Sequence, residues 1–178
     1  KLCDHPACDR YADSSERCYW HSETDNKNPK EDFEGDNLPK NLAGAYLSGA
    51  DLSGLEINGS ILQDSNLSHA NLSNTKLNDV NLADADLSSA NLEQATFKKM
   101  SLVRVDFSQA NLVGMSLVNS LILDSDLNRA TLTDVDLSEK TIQDSMLTEA
   151  DLSKANLAEA NLRRSNFRGA NLSDGDLT

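Results

Sequence analysis

The chain has 178 residues, with 16 Lys+Arg against 29 Asp+Glu and a formal net charge of −13. That length suits one ordinary domain, or an elongated one with a small appendage; no apolar run approaches the roughly 18–20 residues of a membrane span, and the acidic balance counts against a phosphate-binding groove, which needs clustered Lys and Arg. Aromatic residues make up only 4%, too few for the large side chains a compact sphere leans on, so a regular stacking of small parts is expected.

Residues 1–22 hold all three cysteines and the single tryptophan, Trp20. Cys3, Cys8, Cys18 and His21 are spaced as two close pairs separated by a loop. Tetrahedral zinc takes four such soft or borderline ligands; His5 competes for the fourth place. The bland readings are a disulfide plus one spare thiol, or a reduced tail without metal, since three cysteines cannot all pair internally. About one structural Zn²⁺ per chain is the expectation. Four protein ligands would close the site and leave no position for a catalytic water. Thiolate ligation favours a reducing compartment, and no signal-peptide pattern is visible, so a cytoplasmic location is expected. Residues 23–39 are polar and charged and read as a linker and N-terminal cap, with Phe33 as a candidate anchor over whatever follows.

From residue 40 the text becomes periodic, and the period is five. From Leu42 to Leu177 every fifth residue is Leu, Ile or Phe: 28 positions, with 22 Leu, 3 Ile and 3 Phe, and no insertion. Two places before each sits a residue that is usually small, Ala in 12 cases and Ser in 6; just before each sits Asp or Asn in 17 of 28. Five fits neither the 3.6 of a helix nor the 2 of a strand. A chain that turns a corner after each short extended piece reconciles it, with every fifth residue pointing inward. Asp, Asn, Ser and Gly at the remaining positions suit tight turns. A second period of twenty is written over the first, because positions 50, 70, 90, 110, 130, 150 and 170 are all Ala.

Units such as Ala50-Asp51-Leu52-Ser53-Gly54 and Ala90-Asn91-Leu92-Glu93-Gln94 resemble the A(D/N)LXX consensus of pentapeptide-repeat proteins. The resemblance covers residues 40–178. It implies an all-β fold, a right-handed quadrilateral β-helix with four pentapeptides per coil and about seven coils, carrying the small zinc-knot-like segment at its start. At a strand spacing of about 4.8 Å such a rod is roughly 34 Å long. Lys40 and Lys140 occupy slots meant for small inward residues. Burying an unpaired ammonium is too costly, so a local bulge is expected at Lys140, with its stem reaching outward. The zinc knot is well placed to cover the open first coil, an edge that otherwise invites association.

Folding the text at twenty gathers Asp64, Asp84, Asp86, Asp106, Asp124, Asp126 and Asp144 at one corner, opposed by Arg104. The bland reading is that Asp is simply a favoured turn residue; the functional one is an acidic stripe. Beside it lie out-of-pattern apolar residues, Val103, Leu121 and Leu123, with Ile61 and Met146 at corner positions and Val113 and Val118 on other sides. An apolar group rimmed by charge suggests a partner. Candidate partner-binding residues are therefore Val103, Leu121, Leu123, Asp84, Asp86, Asp106, Asp124 and Asp126. No convergent catalytic set is present: His69 falls at an outward corner without a programmed partner, and no glycine-rich phosphate loop exists. The expected role is a non-enzymatic protein–protein interaction scaffold with a zinc cap, without direct nucleic-acid binding or membrane insertion. The rival is an acidic DNA mimic acting on a topoisomerase, as in the quinolone-resistance branch of the family it resembles. The chain stops in register at Leu177-Thr178 without a closing helix, so further chain or another molecule is expected to cover that end.

Overall fold

A computed structural model describes Trp20, His21 and residues 40–178. Among the described residues there is no helix, and none is long and apolar enough to cross a membrane. Cys3, His5, Cys8, Cys18 and Phe33 lie outside them, and with them the zinc expectation. No metal-binding cluster occurs among the described residues.

The corner is the elementary unit. Ala45 N–H donates to Leu42 O at 2.9 Å while Gly44, between them, has φ +64°. A closing bond with positive φ at the third residue is the mark of a type II turn. The same left-handed backbone recurs at every fifth residue from Gly44 to Asp174, in six glycines and 21 other residues. Asn and Asp tolerate it, but Lys99, Arg104, Gln109, Arg129 and Glu149 adopt it as well. Each such residue costs on the order of 1 kcal/mol, so the corners hold only because the inward column is buried.

The residue before each inward position explains its own chemistry. Asp86 Oδ1 accepts from Ser88 N–H at 2.9 Å, Asn66 Oδ1 from Ser68 N–H at 3.0 Å, and Asp151 Oδ1 from Ser153 N–H at 3.0 Å. These are Asx turns, in which the side chain satisfies a main-chain donor two residues on. Longer strands form only where no Asx residue stands at that position and the freed N–H can join the coil-to-coil ladder, although Tyr46, Ile61, Thr131 and Met146 stand there too and make isolated bridges. All seven strands obey this: β1 (Glu56–Asn58), β2 (Lys76–Asn78), β3 (Thr96–Lys98), β4 (Ser101–Val103), β5 (Ser116–Val118), β6 (Leu121–Leu123) and β7 (Ile142–Gln143, preceded by Thr141). None begins at Asp or Asn.

Coils stack in parallel at a spacing of twenty, from the bridge Asn41↔Ile61 to Asn156↔Asp176, so residues 40–178 make close to seven turns. The strands form two sheets, in the orders β1-β2-β3-β5 and β4-β6-β7. Inside, the alanine column at 50, 70, 90, 110, 130 and 150 is fully buried, and Phe97 and Phe107 pair with ring centroids 6.4 Å apart. Serines in small-residue slots are also buried, and their hydroxyls are used. Met100 N–H donates to Ser120 Oγ at 3.0 Å and Val105 N–H to Ser125 Oγ at 3.1 Å. At these wider corners the next coil's serine takes the donor that closes the turn elsewhere.

One feature differs from the expectation. There is no bulge at Lys140: the bridges Asp136↔Asn156 and Thr141↔Asn161 keep the spacing of twenty on either side of it. The lysine is half-buried and curls over its own corner, Nζ donating to Ser138 O at 3.1 Å, so a flexible stem replaces a backbone defect. At the start of the rod two residues of the N-terminal segment lie over the first coil. Trp20, 1% exposed, belongs to the same core cluster as Leu42 and Leu47. Its carbonyl accepts Tyr46 N–H at 2.6 Å, and His21 Nε2 lies 3.0 Å from Ala43 O. These two residues do for the first coil what a preceding coil does for the others. At the far end the inward column grades from buried Leu152 to Leu177, 62% exposed.

Candidate interaction surface

Sheet β4-β6-β7 presents Val103 and Leu123 as register partners on neighbouring coils, with Leu121 across the inward Ile122. All three are half-buried rather than fully exposed. The chain brings them together as one flat apolar strip. The more exposed apolar side chains stand elsewhere: Ile61 (43%), Val118 (39%) and Met146 (42%). Met146 follows Asp126 in the same column through the bridge Asp126↔Met146.

The acidic corner resolves into two columns of different character. In the outer one Arg104 holds Asp84 through two bonds, Nε–Oδ1 at 2.6 Å and a second amino group on Oδ2 at 2.8 Å. Arg164 clasps Asp144 in the same bidentate way. Hydrogen bonding to these guanidinium groups holds both carboxyls below the ordinary aspartate range. Arg164 was not part of the sequence expectation, although it stands twenty residues after Asp144 in the column of Arg104. Two of the seven carboxylates are thereby compensated, and Asp64 and Asp124 remain in that column.

The inner column is Asp86, Asp106 and Asp126, joined by consecutive bridges. Each serves an Asx turn, accepting from Ser88, Ser108 and Asn128 N–H at 2.9, 2.8 and 2.8 Å. The neighbouring face shows what this position does when neutral. There Asn111 Nδ2 donates to Asn91 Oδ1 at 3.1 Å, and Asn91 Nδ2 to Asn71 Oδ1 at 3.5 Å, so side chains ladder from coil to coil. Three stacked carboxylates cannot ladder and repel one another. Turn chemistry accounts for an Asx residue here but not for Asp three times in succession. Changing Asp86, Asp106 and Asp126 together to Asn keeps the turn acceptors and supplies the missing donors. The triple variant is expected to melt a few degrees higher in low salt. The gain should shrink in 1 M salt, where the Debye length is about 3 Å. A lower midpoint in a thermal melt would mean the carboxylates are structurally required.

A groove on the adjoining side, about 290 Å³, is shallow and polar, lined by Ser108, Gln109, Asn128, Arg129, Thr148 and Glu149. Its one cation is already committed, Arg129 Nε lying 2.8 Å from Glu149 Oε2. His69 is exposed at a corner, its backbone N–H on Ser88 O at 2.9 Å.

Comparison with known proteins agrees with this architecture. The family profile described as pentapeptide repeats matches eight copies, over residues 40–64, 65–99, 101–138 and 146–178. No curated protein matches the chain. Among solved structures, HetL from the cyanobacterium Nostoc sp. strain PCC 7120, a pentapeptide repeat protein involved in heterocyst differentiation regulation, is 26% identical; the match covers 76% of this chain and 82% of HetL, with a TM-score of 0.54. Full-length QnrB1, a plasmid-mediated fluoroquinolone resistance protein, is 18% identical over 73% of this chain and 80% of its own, also with a TM-score of 0.54. At that identity QnrB1 speaks to the fold alone. The five-residue text, the twenty-residue coil and the profile match together place this chain in the pentapeptide-repeat family.

Proposed function

We propose that the chain is a non-enzymatic scaffold that presents one side of a rigid rod to a protein partner. The observation that carries this reading is the apolar strip Val103–Leu121–Leu123 beside the carboxylates Asp106, Asp124 and Asp126. An apolar centre supplies affinity, and a charged rim sets orientation and encounter rate. The fixed backbone favours the same reading, because a surface that does not rearrange loses little entropy on binding. HetL's association with regulation fits a role of this kind. The Leu121→Ser, Leu123→Ser double variant is expected to lose a partner that the unmodified chain retains in a pull-down, with little change in melting temperature. Retention of that partner by the variant would move the working surface elsewhere.

A second reading, DNA mimicry toward a topoisomerase, is favoured by the acidic corner. Arg104 and Arg164 weaken it, since they interrupt the row of charge that a duplex presents without breaks. A gyrase supercoiling assay separates the two: inhibition that survives the double Ser variant and is lost in the Asp86, Asp106, Asp126 triple Asn variant would select mimicry.

The metal and compartment readings stay within this proposal: Cys3, Cys8, Cys18 and His21, with His5 as the alternative fourth ligand, bind one Zn²⁺ in a reducing, cytoplasmic setting. Elemental analysis of chain purified without chelator should find about one zinc, and Cys18→Ser should release it. Metal-free protein would exclude the site.

A further inference from the structure

We infer that the occupant of the Val103–Leu121–Leu123 strip is a short amphipathic helix lying along the rod axis, with a basic flank toward Asp124. The inference rests on the scaffold reading and names the kind of partner it fits.

Backbone chemistry comes first. In β4 and β6 the main chain is spent on neighbouring coils: Leu121 N–H on Met100 O at 3.1 Å, Ile122 N–H on Thr141 O at 2.9 Å, Arg104 N–H on Leu123 O at 3.0 Å, Asp124 N–H on Gln143 O at 3.0 Å. The register pairs Ser101↔Leu121, Leu102↔Ile122 and Val103↔Leu123 run the full strand length. This face is the middle of a ladder and not an edge, so it offers an incoming strand nothing to pair with. An extended segment laid across the strip would bring its own N–H and C=O groups against apolar side chains without partners. A helix satisfies those groups internally and can present a purely side-chain face.

Spacing points the same way. Val103 and Leu123 sit one coil apart, about 4.8 Å along the axis. Successive turns of a helix on one face are about 5.4 Å apart, whereas same-face residues of a strand are separated by about 6.6 Å. Residues at i and i+3 of a helix, about 4.5 Å apart along its axis, therefore fall on both coils, and Leu121 meets a third side chain one place round. Charge fixes the flank. Asp84 and Asp144 are held by arginines, which leaves Asp124 at the border of the strip and Asp106 and Asp126 beyond it. Lys or Arg on that side of the helix complements them, within a chain of net charge −13.

Two synthetic probes of identical Leu/Lys composition, each about 14 residues (roughly 21 Å if helical), test this against the whole chain. One places Leu at helical spacing and the other alternates Leu and Lys. The readouts are fluorescence anisotropy and the methyl NMR signals of Val103, Leu121 and Leu123. The helical-period probe is expected to bind at least tenfold tighter and to shift those three signals. Its affinity should fall at least tenfold in the Leu121→Ser, Leu123→Ser variant. If the alternating probe shifts the same signals and binds as tightly, the helix inference falls while the docking surface stands. If neither probe shifts them, the docking surface itself is wrong.

Discussion

A Phe107→Ala variant is expected to lose about 3–5 kcal/mol of stability, the usual range for removing a buried aromatic ring. Phe107 is fully buried, and its ring packs against Phe97 at 6.4 Å with a tilt of 36°. The cost should sit high in that range because the site cannot collapse. All four sides of a coil are held by ladder bonds to the coils on either side, such as Phe107 N–H on Asp126 O at 2.7 Å, so the void persists and its lining loses contacts. Leu112→Ala, also fully buried, should cost about 2–5 kcal/mol by the same reasoning. Ser108→Ala, one residue from Phe107 but outward, should be nearly silent. Denaturant melts of the three variants decide it, and equal shifts for Phe107→Ala and Ser108→Ala would mean that the inward register is wrong. A stack in which each coil touches only its neighbours can also split its transition, so a two-step melt in Phe107→Ala is a further expected sign.

Trp20→Ala should remove a comparable area, with its effect confined to one end of the rod. The indole is buried in the core cluster, and the Trp20 carbonyl accepts Tyr46 N–H at 2.6 Å. Truncating the side chain removes the anchor that keeps that carbonyl in place, at a cost of about 3–5 kcal/mol drawn mainly from the first coil. Hydrogen exchange reads this directly. The Tyr46 amide should lose most of its protection, and the Phe107 amide, three coils away, should keep its own. Unchanged exchange at Tyr46 would show that Trp20 rests on the coil without holding it.

How much of this was legible in the sequence follows from what each feature depends on. The fold was legible because it is periodic: inward leucines every five residues and the alanine column every twenty are direct records of side-chain direction. The apolar strip and the acidic corner were legible as places by the same arithmetic. What the arithmetic could not supply was side-chain reach. Arg104 and Arg164 extend back one coil to Asp84 and Asp144, so a corner that reads as seven carboxylates carries two arginine clamps. Lys140 reads as a misfit and is accommodated by its own flexibility, with no backbone change. Trp20 lies outside the repeat, so no period could place it over the first coil. The short strands were hidden for another reason. They appear where an Asx acceptor is missing, as at Leu121 and Ser101, and so depend on a competition between side chain and ladder for one N–H.

The left-handed residue at every fifth position has a consequence for how the molecule can vary. A single deleted residue would place the later corners on a residue meant to point inward, and a single inserted one would place them on an outward residue of another column, so either puts the inward column out of register. A change of twenty residues leaves each corner, each Asx turn and each inward side chain on its own column. A length change that also keeps every residue on its own face therefore comes in whole storeys. The separation along the axis between two outward groups of one column is an integer count of coils, which makes each column a graduated ruler as much as a surface.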